Sequence, residues 1–516
     1  MKNKTYANAS IVTVFSTMER GLGFLYRVVL SRLIGAEGLG LYQISLSLFA
    51  FFLTIGTGGI PITVSRMITK SKAENNPQAE SGALSAGLTL VLLLTLPVCF
   101  FLGIFGNRLS FLFSDPRCFS VFKILLIGLS FSCVYGVFKG YFWGNKNFLL
   151  PSVFEIAEET VMVIVGVLLL QNISSPTVGA EKAAWAVVVS YLFSFSASCL
   201  AFLFCGGKIS SPKKQLKPLF NATLPITSVR ASGTFIASAV AVLLPAMLVR
   251  SGIGESEALK LFGTVTGMAI PVLSIPSTLI GSLALVLVPE LSEDFYKKSY
   301  ERLLKNVRRG LRFAFAVACI LLPFFYALGE DMGKIAFSNA QAGEIIKKSC
   351  PILLPMSMAM ISTSILNSLG FEKKSFLFYI LGESAMLLCV LFLPALCGVY
   401  AYVIGMGASF ALTAGFNLIF LHKKCLEMEK GHRQGRVQFY FITLFCVLPL
   451  SLIGQFLNGF FKRFTGQIFA FCATALSLTF FTLLLYLFLG ILPFKKHSFK
   501  IKSARAKRQK NYAVLR

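Results

Sequence analysis

The sequence predicts an all-α integral membrane protein of about 14 transmembrane helices, as two pseudo-symmetric six-helix bundles plus two C-terminal helices. Three observations carry that expectation. Apolar residues make up 55% of the 516 residues and charged residues only 14%, whereas a soluble domain carries about 25% charged residues to face water. Mean hydropathy is +0.74, and apolar runs near or above about 18 residues recur along the chain, the length that crosses a hydrocarbon core roughly 30 Å thick. Phe is abundant at 51 residues and Trp scarce at 2, so the interior is filled by rings that carry no hydrogen-bonding group.

Taken in order, the first six apolar runs fall near residues 8–34, 40–69, 83–105, 119–141, 149–171 and 183–206. The first is interrupted by Glu19 and Arg20 and is followed by no small-residue cleavage site, so it reads as a retained helix rather than a signal peptide. The second contains Pro61 and the fifth opens at Pro151. The next six lie near 221–249, 261–289, 310–329, 349–370, 375–397 and 399–421, with Pro271, Pro276 and Pro289 in the eighth. Proline within a spanning helix bends it and frees a carbonyl that a neighbour or water must satisfy, and such helices often line cavities. Runs at 438–460 and 467–492 complete the set. The expected units are therefore an N-terminal bundle (1–207), a second bundle (208–424), two additional helices (425–494) and a basic tail (495–516).

Lys and Arg number 49 against 22 Asp and Glu, a net charge of +27. With the N-terminus placed in the cytoplasm, the cations crowd into alternate loops at about three to one, a positive-inside pattern that requires an even number of crossings and puts both termini inside. The tail from Lys495 onward is basic and without acids, which suits contact with anionic lipid headgroups. It lacks the interleaved aromatic residues of a nucleic-acid platform.

An internal repeat is visible. Asn8-Ala-Ser and Asn221-Ala-Thr open the first and seventh spans, and Tyr141-Phe-Trp-Gly-Asn-Lys-Asn-Phe148 is echoed by Asn367-Ser-Leu-Gly-Phe-Glu-Lys-Lys-Ser-Phe376. Both copies start on the same side, so the repeat axis runs along the membrane normal, the arrangement in which transporters bind substrate between halves.

Several function classes are excluded. The 12 Cys form no CxxC pair, and most, including Cys133, Cys319 and Cys389, lie inside apolar runs as small hydrophobes. The 3 His sit in basic polar segments. Neither a disulfide framework nor a metal site is expected. The Gly38-Leu-Gly40 and Gly56-Thr-Gly-Gly59 fragments lack the strand and lysine of a phosphate loop. No nucleophile–base pair appears, so the chain is not read as an enzyme, and no cofactor is expected beyond a coupling ion, H+ or Na+.

Charges inside apolar spans are costly and face protein or water. Arg20 and Arg27 lie seven residues apart on the first span, pointing the same way about 10 Å apart along its axis. Arg230 lies on the seventh span, the repeat partner of the first. Together Arg27, Arg230 and Arg20 predict a cationic cavity between the halves, suited to an anionic phosphate-bearing substrate, because guanidinium pairs bidentately with phosphate oxygens. A structural ion pair or snorkelling to the interface is the competing role for each. Among the acids, Glu383 stands isolated in the eleventh span, while Glu155 and Glu159 share a face of the fifth beside Glu158. Glu383, Glu155 and Glu159 are candidates for ion coupling, with helix-to-helix pairing as the alternative.

The stretch Ser16-Thr-Met-Glu-Arg-Gly-Leu-Gly-Phe-Leu-Tyr-Arg27, continuing to Ser31-Arg-Leu-Ile-Gly-Ala-Glu-Gly-Leu-Gly-Leu-Tyr42, resembles the opening of polysaccharide-type flippases. These belong to the multidrug/oligosaccharidyl-lipid/polysaccharide exporter superfamily, and the stage V sporulation protein B group, related to lipid II flippases, is the most similar branch. Lys139-Gly-Tyr-Phe-Trp-Gly144 with Pro151, and Thr266-Gly-Met-Ala-Ile-Pro271 through Val288-Pro-Glu290, extend the resemblance. It implies a V-shaped pair of bundles moving a lipid-linked oligosaccharide diphosphate or peptidoglycan precursor across the bacterial plasma membrane. The family's basic site in the first helix falls on Arg27, with Arg20 at a second recurrent basic position. Val28 stands where lipid II flippases often carry an acid. The last two helices are expected to shelter the lipid tail. Two alternatives stay open: a multidrug or cation antiporter of the same superfamily, and a non-transporting scaffold that recruits cell-wall synthesis enzymes.

Overall fold

The computed structural model describes residues 2–105, 113, 115–428 and 438–488. The basic tail 495–516 lies outside the described residues. Among those described the chain is helical throughout, with no strand.

The first half contains α1 (Lys2–Thr57), α2 (Ile60–Ala73), α3 (Pro77–Phe105), α4 (Arg117–Gly144), α5 (Leu149–Leu169) and α6 (Pro176–Phe204). The second contains α7 (Lys213–Arg250), α8 (Glu255–Gly263), a π-helical turn at Thr264–Ala269, α9 (Ile270–Leu273), α10 (Ile275–Tyr296) and α11 (Tyr300–Phe337). It continues with α12 (Ala340–Ser349), α13 (Leu353–Ser368), α14 (Glu372–Phe392), α15 (Pro394–Cys397) and α16 (Tyr400–Met428). Helices α17 (Gln438–Phe464) and α18 (Gln467–Phe488) follow.

Among the described residues, 12 helical segments are long and apolar enough to cross a membrane. One of them, Val14–Ala73, spans 60 residues, about 90 Å of helix and enough for two crossings. It is divided into two limbs because α1 breaks at Gly35 (φ 69°, ψ 179°), a backbone conformation open in practice to glycine alone. Helix α5 is 21 residues long but carries Glu155, Glu158 and Glu159, which keep it out of the apolar set. Counting both limbs of α1 and adding α5 accounts for the expected 14.

Proline and glycine decide where the expected spans are interrupted. The second limb of α1 stops at Thr57 and α2 starts at Ile60 with Pro61 in its first turn, where a missing N–H costs nothing. The eighth expected span is divided into α8, the π turn, α9 and α10, with Pro271 and Pro276 each in a first turn. The tenth begins earlier than expected, since α12 runs into α13 through a 3-10 turn at Cys350–Ile352.

The packing partners of the two halves correspond. Helix α4 lies along α2 and α6, and α5 along α6; in the second half α13 lies along α10 and α16, and α14 along α16. The first limb of α1 rests on α5 as α7 rests on α14. The second limb ties the halves together by packing on α7, α8 and the π turn. There Gly40 and Gly263 meet backbone to backbone, and a Cβ added at Gly263 would fall 2.6 Å from the Gly40 amide nitrogen. Both sides of the Gly35 break are held. Arg32 Nε donates to the Ala336 carbonyl of α11 at 2.7 Å, and Glu37 pairs with Arg117 of α4 at 2.9 Å. Leu30, Leu39, Leu41 and Ile44 of α1 are fully buried in the main core with Leu125 and Val137 of α4.

Helices α17 and α18 dock on α11. Asp331, 1% exposed, is the anchor: it accepts from Asn458 Nδ2 at 2.6 Å and Gln467 Nε2 at 3.2 Å, and pairs with Lys462 at 2.6 Å. Tyr486 Oη donates to the Ala316 carbonyl at 2.7 Å as a second tie.

Candidate functional site

A cavity of about 430 Å³ opens between the first limb of α1, α5 and α6 on one side and the α9–α10 break on the other. Helix α1 presents Arg20, Gly23, Arg27 and Leu30 to it, a spacing of three, four and three that keeps one helix face. Tyr42 and Leu46 of the second limb, Met162 of α5 and Tyr191 of α6 complete the wall on that side. The opposite wall is Pro271, Ser274, Ile275, Ser277 and Thr278. Ser274 Oγ turns back to the Pro271 carbonyl at 2.9 Å, closing the break locally.

Arg27 is half-buried and Arg20 exposed, and both line the cavity. Among the described residues neither forms an ion pair or a side-chain hydrogen bond. Arg230 is not part of this lining. It is exposed on α7 one turn beyond Ile226 and Thr227, which pack against Gly59 and Gly58 of the α1–α2 turn. The structure therefore brings two of the three arginines into one chamber and leaves the third elsewhere on the junction between halves.

The cavity also holds two carboxylates, Glu19 and Glu159. Its charged lining is two arginines and two glutamates, so it is dipolar rather than uniformly cationic. The Glu159 carboxylate sits beside Gly23: a Cβ there would lie 3.6 Å from Glu159 Oε1. Its Oε2 is buried with no hydrogen-bond partner, and Arg27 and Glu19 are its charged neighbours. The other acids of α5 are engaged. Glu155 pairs with Lys139 of α4, whose ammonium lies 4.8 Å over the Trp143 ring, and Glu158 faces Ser194 of α6.

Glu383 lies far from this chamber in sequence and in packing, on α14 between α7 and α16, where its Oε1 accepts from Ser409 Oγ at 3.1 Å. Tyr379 and Tyr402 are its ionisable neighbours. Among the described residues no group of three or more His, Cys, Asp or Glu is gathered to hold a metal ion.

Sequence reasoning noted Glu19 only as a charge within a span and gave no place to Tyr26, Tyr42, Tyr191 or Ser274–Thr278. The break at α9–α10 was signalled by Pro271 and Pro276. The tyrosines carried no such signal, because which face of a helix turns inward depends on its neighbours.

A family model described as polysaccharide biosynthesis protein matches residues 5–295. The chain belongs to that family. Stage V sporulation protein B of Bacillus subtilis (strain 168) is 23% identical over 484 residues, 89% of this chain and 91% of the relative. Lipid II flippase MurJ of the same organism is 24% identical over 175 residues, 32% of each chain. Among solved structures, lipid II flippase MurJ in an inward closed conformation superposes with a TM-score of 0.68 at 13% identity, covering 91% of this chain and 97% of its own. An inward-facing multidrug resistance transporter of the same superfamily also gives 0.68 at 13% identity, covering 80% and 96%. The fold of this family member is thus that of the multidrug/oligosaccharidyl-lipid/polysaccharide exporters, in a multi-pass membrane protein.

Proposed function

We propose that the chain is a membrane flippase that moves a lipid-linked oligosaccharide or peptidoglycan precursor, lipid II-like, from the inner to the outer leaflet by alternating access. The observation that carries this reading is the pair Arg20 and Arg27, unpaired among the described residues on one face of α1 and lining a chamber at the junction of the two halves. A guanidinium without a carboxylate partner is available to a diphosphate headgroup, which it holds through two parallel hydrogen bonds. The lipid tail stays in the bilayer while the headgroup crosses. In this reading 1–207 and 208–424 are the moving halves, 425–494 supports the tail, and both termini lie in the cytoplasm of a bacterial cell.

Support comes also from the relatives, which include a lipid II flippase and a sporulation protein. The flippase structure extends over 91% of this chain against 80% for the multidrug transporter, a difference in keeping with α17 and α18 belonging to the transport unit. Arg27 and Arg20 hold the headgroup in the chamber, and Arg230 stands outside that lining. Glu159 and Glu383 are the candidates to couple transport to H+ or Na+, Glu383 through a carboxylate that also accepts from Ser409, whereas Glu155 is occupied by Lys139.

The test is exchange of a fluorescent lipid-linked sugar diphosphate in vesicles containing the purified protein, read by accessibility from outside. Arg27→Gln should slow exchange at least about tenfold, a loss of roughly 1.4 kcal/mol of transition-state stabilisation. Unchanged exchange removes Arg27 from the site and the reading with it.

A further inference from the structure

Among the described residues, Glu159 is the one carboxylate of α5 left without a hydrogen-bond or ion-pair partner. Glu155 has Lys139 and Glu158 has Ser194, while Glu159 Oε2 is buried and receives no hydrogen bond. It lies beside Gly23 of α1, where an added Cβ would stand 3.6 Å from Glu159 Oε1, in ordinary van der Waals contact. Arg27 lies on the same face of α1 one turn further along, about 6 Å from Gly23, and the two groups line one cavity without forming a contact ion pair. Glu19, Arg20 and Tyr26 from the first limb of α1, Tyr42 from its second limb and Tyr191 from α6 are the other titratable or charged groups on that lining.

We infer that Glu159 is a built-in competitor of the headgroup phosphate at Arg27, setting how readily the substrate is released. This rests on the flippase reading and deepens it. An anion arriving at Arg27 meets the Coulomb field of a carboxylate that no protein donor neutralises, in surroundings of lower dielectric than water. In its ionised form the carboxylate weakens binding and speeds departure. When the chamber is empty the same carboxylate balances Arg27, so the unloaded protein can reorient without stranding a lone buried charge, the condition that makes isolated ions in a membrane costly.

The test uses the full-length protein in nanodiscs with inorganic pyrophosphate as the probe, alongside vesicle exchange of the lipid-linked sugar. Glu159→Gln, nearly isosteric, should bind pyrophosphate about tenfold more tightly, within the range of ordinary site-to-site coupling. In exchange it should lower KM and kcat together, because tight binding without release slows turnover. In an Arg27→Gln background the gain should vanish. Glu159→Asp, which keeps the charge and should fold even where the amide does not, should bind as weakly as the wild type. Affinity unchanged or reduced in Glu159→Gln, or an equal gain with and without Arg27, overturns the competitor role. A wild type that binds no pyrophosphate and moves no lipid-linked sugar overturns the flippase reading itself, and this inference with it.

Discussion

Gly40 of α1 and Gly263 of α8 lie against one another with no side chain between them, and a Cβ at Gly263 would come within 2.6 Å of the Gly40 amide nitrogen. This contact joins the second limb of α1 to the second half of the molecule just beyond the Gly35 break. It closes the junction between halves at the end where Arg32 reaches the α11 carbonyls and Glu37 reaches Arg117.

Gly263→Val should therefore hold α1 and α8 apart. Overpacking of this kind costs about 1–3 kcal/mol, and a closed state raised by that amount should slow vesicle exchange about tenfold. Exchange at the wild-type rate would show that the two backbones need not meet during the cycle.

Gly35→Ala should destabilise the bent form of α1 by about 1–3 kcal/mol, since alanine at φ 69°, ψ 179° is strained. The measurement is thermal unfolding of the purified protein. A raised midpoint would mean that the straight helix is the more stable form and that the break is not intrinsic to the fold.

Asp331→Ala removes the acceptor shared by Asn458, Gln467 and Lys462. Breaking a buried ionic contact costs about 3–5 kcal/mol, and here the lower end applies because Lys462 is partly exposed and screened. Limited proteolysis should show α17 and α18 cut faster while the first half stays protected. Equal protection of both regions would assign the docking of these helices to apolar contacts alone.

Arg230→Gln should leave pyrophosphate affinity within about twofold of wild type, while Arg27→Gln should weaken it by about tenfold or more, the size expected for losing a charge-assisted bidentate contact. The reason is position: Arg27 lines the chamber and Arg230 does not. Equal losses would place Arg230 at the headgroup despite its location on α7.

Much of this molecule is legible in local sequence. Apolar runs of spanning length, the breaks at Pro61, Pro271 and Pro276, and the arginines within the first span all declare themselves, because hydropathy and proline geometry act within a few residues. The correspondence of the halves was hinted at by two short echoes, and the matching of α2, α4 and α6 with α10, α13 and α16 is seen only in the packing. The chamber itself was half legible. Arg20 and Arg27 stand out by their seven-residue spacing, but the partner wall at Ser274–Thr278 and the tyrosines do not.

Amino-acid order by itself determined that the chain is a bundle of membrane helices with guanidinium groups inside it, since transfer from water to lipid is decided residue by residue. Only the tertiary structure decided that Glu159 faces Gly23 beside Arg27, that Arg230 stands apart, and that Asp331 secures α17 and α18. These are meetings between helix faces far apart in sequence, and the rotation of each helix is set by the side chains of its neighbours rather than by its own.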